Sequence, residues 1–214
     1  AAQTDAADTA ALREIAGVAD GPRALVARLL LGLSTHDLSA MREMLGVPQR
    51  VLSANYRRGG MFITAQFDYG DFICQFETGI DRIARFNAHI DVLTPEMSVR
   101  VDYETPYIRH QPTRLTVTAA KGEFGVSVAQ SHATRQDSFI IEWQRFHASV
   151  TQGAPVKTDI ADARADLELI ARIMPFDLVI DEHTADGQEA RVSRSSVAGS
   201  WGGVAGSLRY FADR

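Results

Sequence analysis

The sequence predicts an α+β fold: a large, mostly antiparallel open sheet backed by helices. Three observations predict it. Apolar residues recur at helical spacing before residue 50 and again between residues 139 and 174, whereas strict alternation fills the stretch between. The turns joining the alternating runs are short, which favours antiparallel neighbours over crossovers. One face of such a sheet is apolar and must be covered, and the helices at the two ends of the chain are the available cover.

Asp8 or Thr9 can cap a first helix that places Leu12, Ile15, Ala16 and Ala19 on one side. Gly17 inside it costs about 1 kcal/mol against alanine. Asp20-Gly21-Pro22 is a break, and Pro22 suits the first position of a second helix carrying Leu25, Leu29 and Leu30. Ser34 followed by Asp37 has the form of a capping box, with Leu38, Met41 and Leu45 behind it at helical spacing. Gly46 and Pro48 then stop that third helix. Residues 1–49 are therefore a helical segment expected to pack on the sheet.

From Arg50 the period changes to two. Strands are expected over Val51 to Arg57, Met61 to Tyr69, Phe72 to Glu77, Ala84 to Val92, Val99 to Glu104 and Arg114 to Thr118, with Phe124 to Val128 available as a seventh. Phe139, Trp143, Phe146 and Val150 line one side of a fourth helix that Gly153 and Pro155 end, and this aromatic stripe is expected in the core. A fifth helix opens at Thr158 or Asp159 and turns Ile160, Ala163, Leu167, Ile170 and Met174 toward the sheet until Pro175. Residues 50–176 and the segment before them form one domain. Residues 177–214, acidic at first and then rich in serine and glycine, read as a polar tail or one more hairpin.

Composition narrows the function. With 45% hydrophobic residues in 214, the chain can bury a sizeable core. A net charge of -5 removes electrostatic support for binding nucleic acid. The lone Cys74 rules out an internal disulfide and a cysteine-based zinc site, and it fits a reducing compartment such as the cytoplasm. No apolar run approaches the roughly 20 residues that span a bilayer, and Ala1 to Ala11 lack the basic and apolar regions of a signal peptide. His110, His132, His147 and His183 show no metal-ligand spacing, so no metal is expected.

The best-placed candidate is His36. In the first turn of the third helix it meets the positive end of the helix dipole, which disfavours imidazolium and keeps a neutral ring able to give or take a proton. It is either a helix-start residue bonded to backbone or a contact to a substrate hydroxyl. Asp37 reads as the cap beside it. Tyr107 and Arg109 lie in a loop bracketed by Pro106 and Pro112, where they bind substrate hydroxyls or tie the loop down. The row Arg85, Asn87, His89 and Asp91 reads as a solvated or oligomer-facing sheet surface.

Taken in order, Ser34-Thr35-His36-Asp37-Leu38-Ser39-Ala40-Met41, the Gly46-Val47-Pro48 exit, Asp102-Tyr103-Glu104-Thr105-Pro106-Tyr107-Ile108-Arg109, and Phe139-x-x-Glu142-x-x-x-Phe146 with Gly153-x-Pro155 carry a resemblance. From about Leu29 to Met174 the sequence resembles the C-terminal domain of the oxidoreductase family of glucose-fructose oxidoreductase and inositol 2-dehydrogenase. The resemblance implies a helix-backed sheet whose open face mediates homo-oligomerisation, preceded in a full chain by a Rossmann domain that binds NAD or NADP. It implies hydride transfer between the nicotinamide and a sugar or cyclitol carbinol, with His36 at the reacting hydroxyl.

The chain departs from that pattern in three places. No Gly-x-Gly-x-x-Gly precedes His36, and Gly202, Gly203 and Gly206 have the wrong spacing. The family's lysine in a Glu-Lys-Pro motif has no counterpart, since Lys121 and Lys157 are the lysines here. Its aspartate one helical turn before the histidine is Gly32. The chain therefore reads as the substrate-facing half of a dehydrogenase, holding no cofactor with its own residues and inactive alone. The alternative is a non-catalytic α+β binding or oligomerisation module.

Overall fold

A computed structural model describes residues 2–18, 20–57, 61–103, 105–176 and 204–212. Helices α1 (Ala2–Ala16) and α2 (Gly21–Leu29) lead through a π-helical turn (Leu30–Ser34) into α3 (Thr35–Leu45). Seven strands follow: β1 (Arg50–Arg57), β2 (Phe62–Asp68), β3 (Phe72–Ile80), β4 (Phe86–Leu93), β5 (Met97–Tyr103), β6 (Arg114–Lys121) and β7 (Gly125–His132). Helices α4 (Ser138–Gln152) and α5 (Ile160–Ile173) come next, and β8 (Val204–Ala212) comes after them. The eight strands form one sheet in the order β1-β2-β3-β8-β4-β5-β6-β7, antiparallel throughout except where β8 runs parallel to β4. The α+β open sheet is as the sequence predicts.

β8 is the element the sequence reading does not place. It comes from the stretch read as a tail or hairpin, yet it sits in the middle of the sheet, with Leu208 in register with Phe76 of β3 on one side and Ile90 of β4 on the other. Ala19 and residues 177–203, which carry the acidic run, lie outside the described residues.

Alternation decides which side chains enter the core. Ala54 and Tyr56, Ile63, Ala65 and Phe67, and Cys74 and Phe76 are buried on one face of β1, β2 and β3, against Val26, Leu30, Leu38, Met41, Leu169, Ile170 and Ile173 of the helices. The Tyr56 hydroxyl donates to the Ile173 carbonyl at 2.7 Å, fixing α5 across β1.

Several helix assignments change. α1 already runs from Ala2, so Asp8 and Thr9 lie within it and do not start it. Gly17 does not weaken α1 from within; it ends the helix with φ +66 and an N–H bonded to the Arg13 carbonyl. On α5, Ile170 and Met174 are buried as expected, but Ile160 and Ala163 are exposed and the inward side also takes Asp166, Leu169 and Ile173, because Arg42 of α3 binds Asp162 and Asp166. Helix α4 ends at a left-handed Gly153 as expected, and its start is capped by Asp137, whose Oδ1 accepts from the Ile140 N–H at 2.9 Å. None of its residues is buried, however, and Trp143 is 69% exposed. Its aromatic stripe is not core. The helices of the described residues cover β1 to β4, burial fades across β5 and β6, and every residue of β7 is exposed.

Candidate active site

The capping box expected at Ser34 does not form. Ser34 has helical angles (φ -78, ψ -10) and makes no side-chain cap; its hydroxyl donates to Thr78 of β3 at 3.3 Å. Residues 21–45 form one helical run in which the π turn joins α2 to α3. His36 is therefore not at a free helix end, and the dipole argument for its neutral ring falls away, since preceding carbonyls already occupy the N–H groups of that turn. What the structure offers instead is a π-helical insertion immediately before His36, a distortion that recurs at functional sites.

Around it, burial divides two neighbours sharply. His36 is exposed, whereas Asp37 points inward and is buried. Asp37 is no cap; its Oδ1 accepts a hydrogen bond from the Tyr103 hydroxyl at the end of β5. Burial pushes the Asp37 pKa above the ordinary carboxylate value, while the Tyr103 hydrogen bond and the nearby His36 pull it the other way. Tyr103 was legible only as the last member of the apolar row Val99, Val101 and Tyr103; a hydroxyl at the end of such a row needs a partner, and that was the available signal.

A pH test follows from the raised value. The folded state holds the Asp37 proton more tightly than the unfolded chain, so this group's contribution is fully present below the unfolded pKa of about 3.9 and is lost as pH rises through the folded value. Asp37→Asn removes that dependence while leaving a carbonyl to accept from Tyr103. Relative to wild type, the variant is expected to gain stability as pH rises from acid toward neutrality, measured by urea unfolding across pH. Parallel stability profiles for the two proteins would contradict the assignment.

The loop carrying Tyr107 and Arg109 begins where β5 ends, beyond Tyr103. Tyr107 is exposed with its ring centroid 6.3 Å from that of Phe139 on α4, and Arg109 is exposed in the same loop. The predicted site residues thus occupy two segments, α3 and the β5–β6 loop, linked through the Asp37–Tyr103 hydrogen bond. His110 in this loop adopts φ 61, a left-handed conformation uncommon outside glycine.

The row on β4 is only half as expected. Arg85 and Asn87 are exposed, but His89 and Asp91 are buried, because β8 and β5 flank β4 on both sides. There, charges are paired within the sheet: Asp91 with Arg100 at 3.3 Å, Arg100 with Asp102 at 2.7 Å, and Asp102 with Arg114 at 3.1 Å. His89 Nε2 lies 3.6 Å from Asp91. Cys74 is buried, its thiol pKa pushed up by burial, which makes it a poor nucleophile. Among the described residues no three His, Cys, Asp or Glu side chains gather to hold a metal, and no helix is long and apolar enough to cross a membrane.

No protein-family profile and no curated protein sequence matches the chain. Among solved structures it is similar to yvaA of Bacillus subtilis, a candidate oxidoreductase, with 13% sequence identity and a TM-score of 0.48 over 74% of this chain. The chain spans 50% of the length of that protein.

Proposed function

We propose that this chain is the substrate-facing half of an oxidoreductase that uses NAD or NADP on a sugar or cyclitol hydroxyl. In this reading His36 exchanges the proton of the reacting hydroxyl, and Tyr107 and Arg109 bind its neighbours. The observation that supports it best is the corner where an exposed imidazole adjoins a buried carboxyl held by a tyrosine, directly after a π-helical turn. The resemblance of the motifs around His36 and Tyr107 supplies the reaction class.

The cofactor belongs on a separate domain in this proposal. The described residues do not fit a dinucleotide: Gly206 lies inside β8, paired with Ala88 and Thr78, and no glycine turn leads from a strand into a helix N-terminus as a pyrophosphate requires. The chain alone is accordingly expected to be inactive. The unburied aromatic stripe of α4 is the surface such a domain would cover, because a 15-residue helix is marginal without packing. The polar open face of the sheet would serve homo-oligomerisation.

Titrating the chain with a panel of sugars and cyclitols, and following the His36, Tyr103 and Tyr107 ring signals by NMR, tests the reading. Millimolar binding that moves His36 together with Tyr107 is expected. Polyols that leave all three rings unmoved would turn the assignment toward a non-catalytic module.

A further inference from the structure

Among the described residues β1 and β7 are the two edges of the sheet, and they differ in a way that matters for association. β1 carries Arg50 and Arg57 at its ends, follows Pro48, and breaks register with β2 between Val51 and Ser53. Charge, proline and a bulge are the devices by which a strand edge avoids pairing with another chain. β7 has none of them. It is uncharged from Gly125 to Ser131 and without proline, and its register with β6 runs unbroken from Lys121↔Gly125 to Arg114↔His132. Val126 and Val128 are 65% and 62% exposed, and Phe124 in the preceding turn is 91% exposed.

We propose that the β7 edge binds a second copy of this chain, the two strands pairing antiparallel about a two-fold axis so that the sheets become continuous. Such symmetry sets each residue against its own row, so a charged edge would oppose like with like, and the uncharged one does not. Centred on Val128, the pairing sets that valine against its counterpart, Val126 against the counterpart of Gln130, and Phe124 against that of His132. All these positions share the sheet face of Asp91 and Arg100. The outward N–H and C=O groups of β7 supply the hydrogen bonds, as in strand addition generally. An edge of this length with Phe124, Val126 and Val128 covered removes on the order of 500 Å² from each copy, near the lower bound for a specific interface. The dimer is therefore weak and concentration-dependent. It uses a different surface from face-to-face packing and stands independently of the oxidoreductase reading.

Sedimentation velocity of the chain from low to high micromolar concentration is expected to show a monomer–dimer equilibrium. Combining Val126→Lys with Val128→Lys puts ammonium groups across the two-fold pair and should raise the dissociation constant at least tenfold, with the circular dichroism spectrum and melting temperature unchanged because both positions are exposed. Gln66→Lys, on the same sheet face of β2, should leave the dimer intact. In wild type, the outward amides of β7 should exchange hydrogen more slowly as concentration rises. A chain that stays monomeric, a dimer that survives the β7 lysines, or β7 exchange independent of concentration overturns the proposal.

Discussion

Replacing Arg42 by alanine is expected to destabilise the fold by about 3–5 kcal/mol, the loss typical of stranding one partner of a buried ion pair. Arg42 projects from α3 with 7% of its side chain exposed; its Nε donates to Asp166 at 2.7 Å and a terminal nitrogen to Asp162 at 3.0 Å, both on α5. A third hydrogen bond, to the Asp162 carbonyl, completes the fork. Without the guanidinium, Asp162 can turn to water, but Asp166, with 9% of its side chain exposed, is left buried without its cation. Urea unfolding should show the loss as a lower midpoint at unchanged slope. Pairing Arg42→Met with Asp166→Leu should recover most of it, because a buried ion pair exchanged for apolar groups of similar volume is often neutral. A loss under about 1 kcal/mol in the single variant, the range of exposed pairs, would mean that the pair is solvated.

On the proposed reading, in which a cofactor domain completes an oxidoreductase, His36→Ala in that full-length protein is expected to lower kcat by about 10²- to 10⁴-fold, the usual contribution of a general acid or base. The exposed side chain makes the experiment clean. Its removal should move stability by no more than about 0.5 kcal/mol, as for other surface substitutions, so a catalytic loss and a folding loss separate in one variant. An unchanged kcat would return His36 to an ordinary surface role and leave Asp37 and Tyr103 as a purely structural clasp.

How far the sequence foretold this molecule depends on what each stretch had to report. Ala88, Ile90 and Val92 alternate with His89 and Asp91, and alternation is a direct record of a strand with two unlike faces; that strand was legible. β8 carries Leu208 and Tyr210 either side of Arg209, but Gly206 and Ser207 blank the pattern before them, and nothing local tells a strand which neighbours it will join. That missing strand is also why the row at His89 and Asp91 was expected to face solvent. The helical period of Phe139, Trp143 and Phe146 correctly gave a helix with an apolar side, yet periodicity is silent on whether the same chain covers that side. At the candidate site, His36 was proposed from its motif, whereas the hydrogen bond from Tyr103 to Asp37 joins residues far apart in sequence and only the fold could supply it. The π-helical turn has no residue signature, and it altered the electrostatics expected at His36.

The central place of β8 sets the order in which this protein can be finished. β3 and β4 are consecutive in the chain, yet they do not pair with each other; both wait for a strand that is synthesised after α5. Until it emerges, β1 to β3 and β4 to β7 are two half-sheets with raw inner margins facing each other. Closure then requires contacts across more than a hundred residues, from Ile80 to Val204, the sort of long-range pairing that folds slowly and leaves an unfinished chain exposed to misassembly. β8 works as a zip fastener between halves made long before it, and a nascent chain without it has only the helices beneath to hold those halves together, with no strand between their margins.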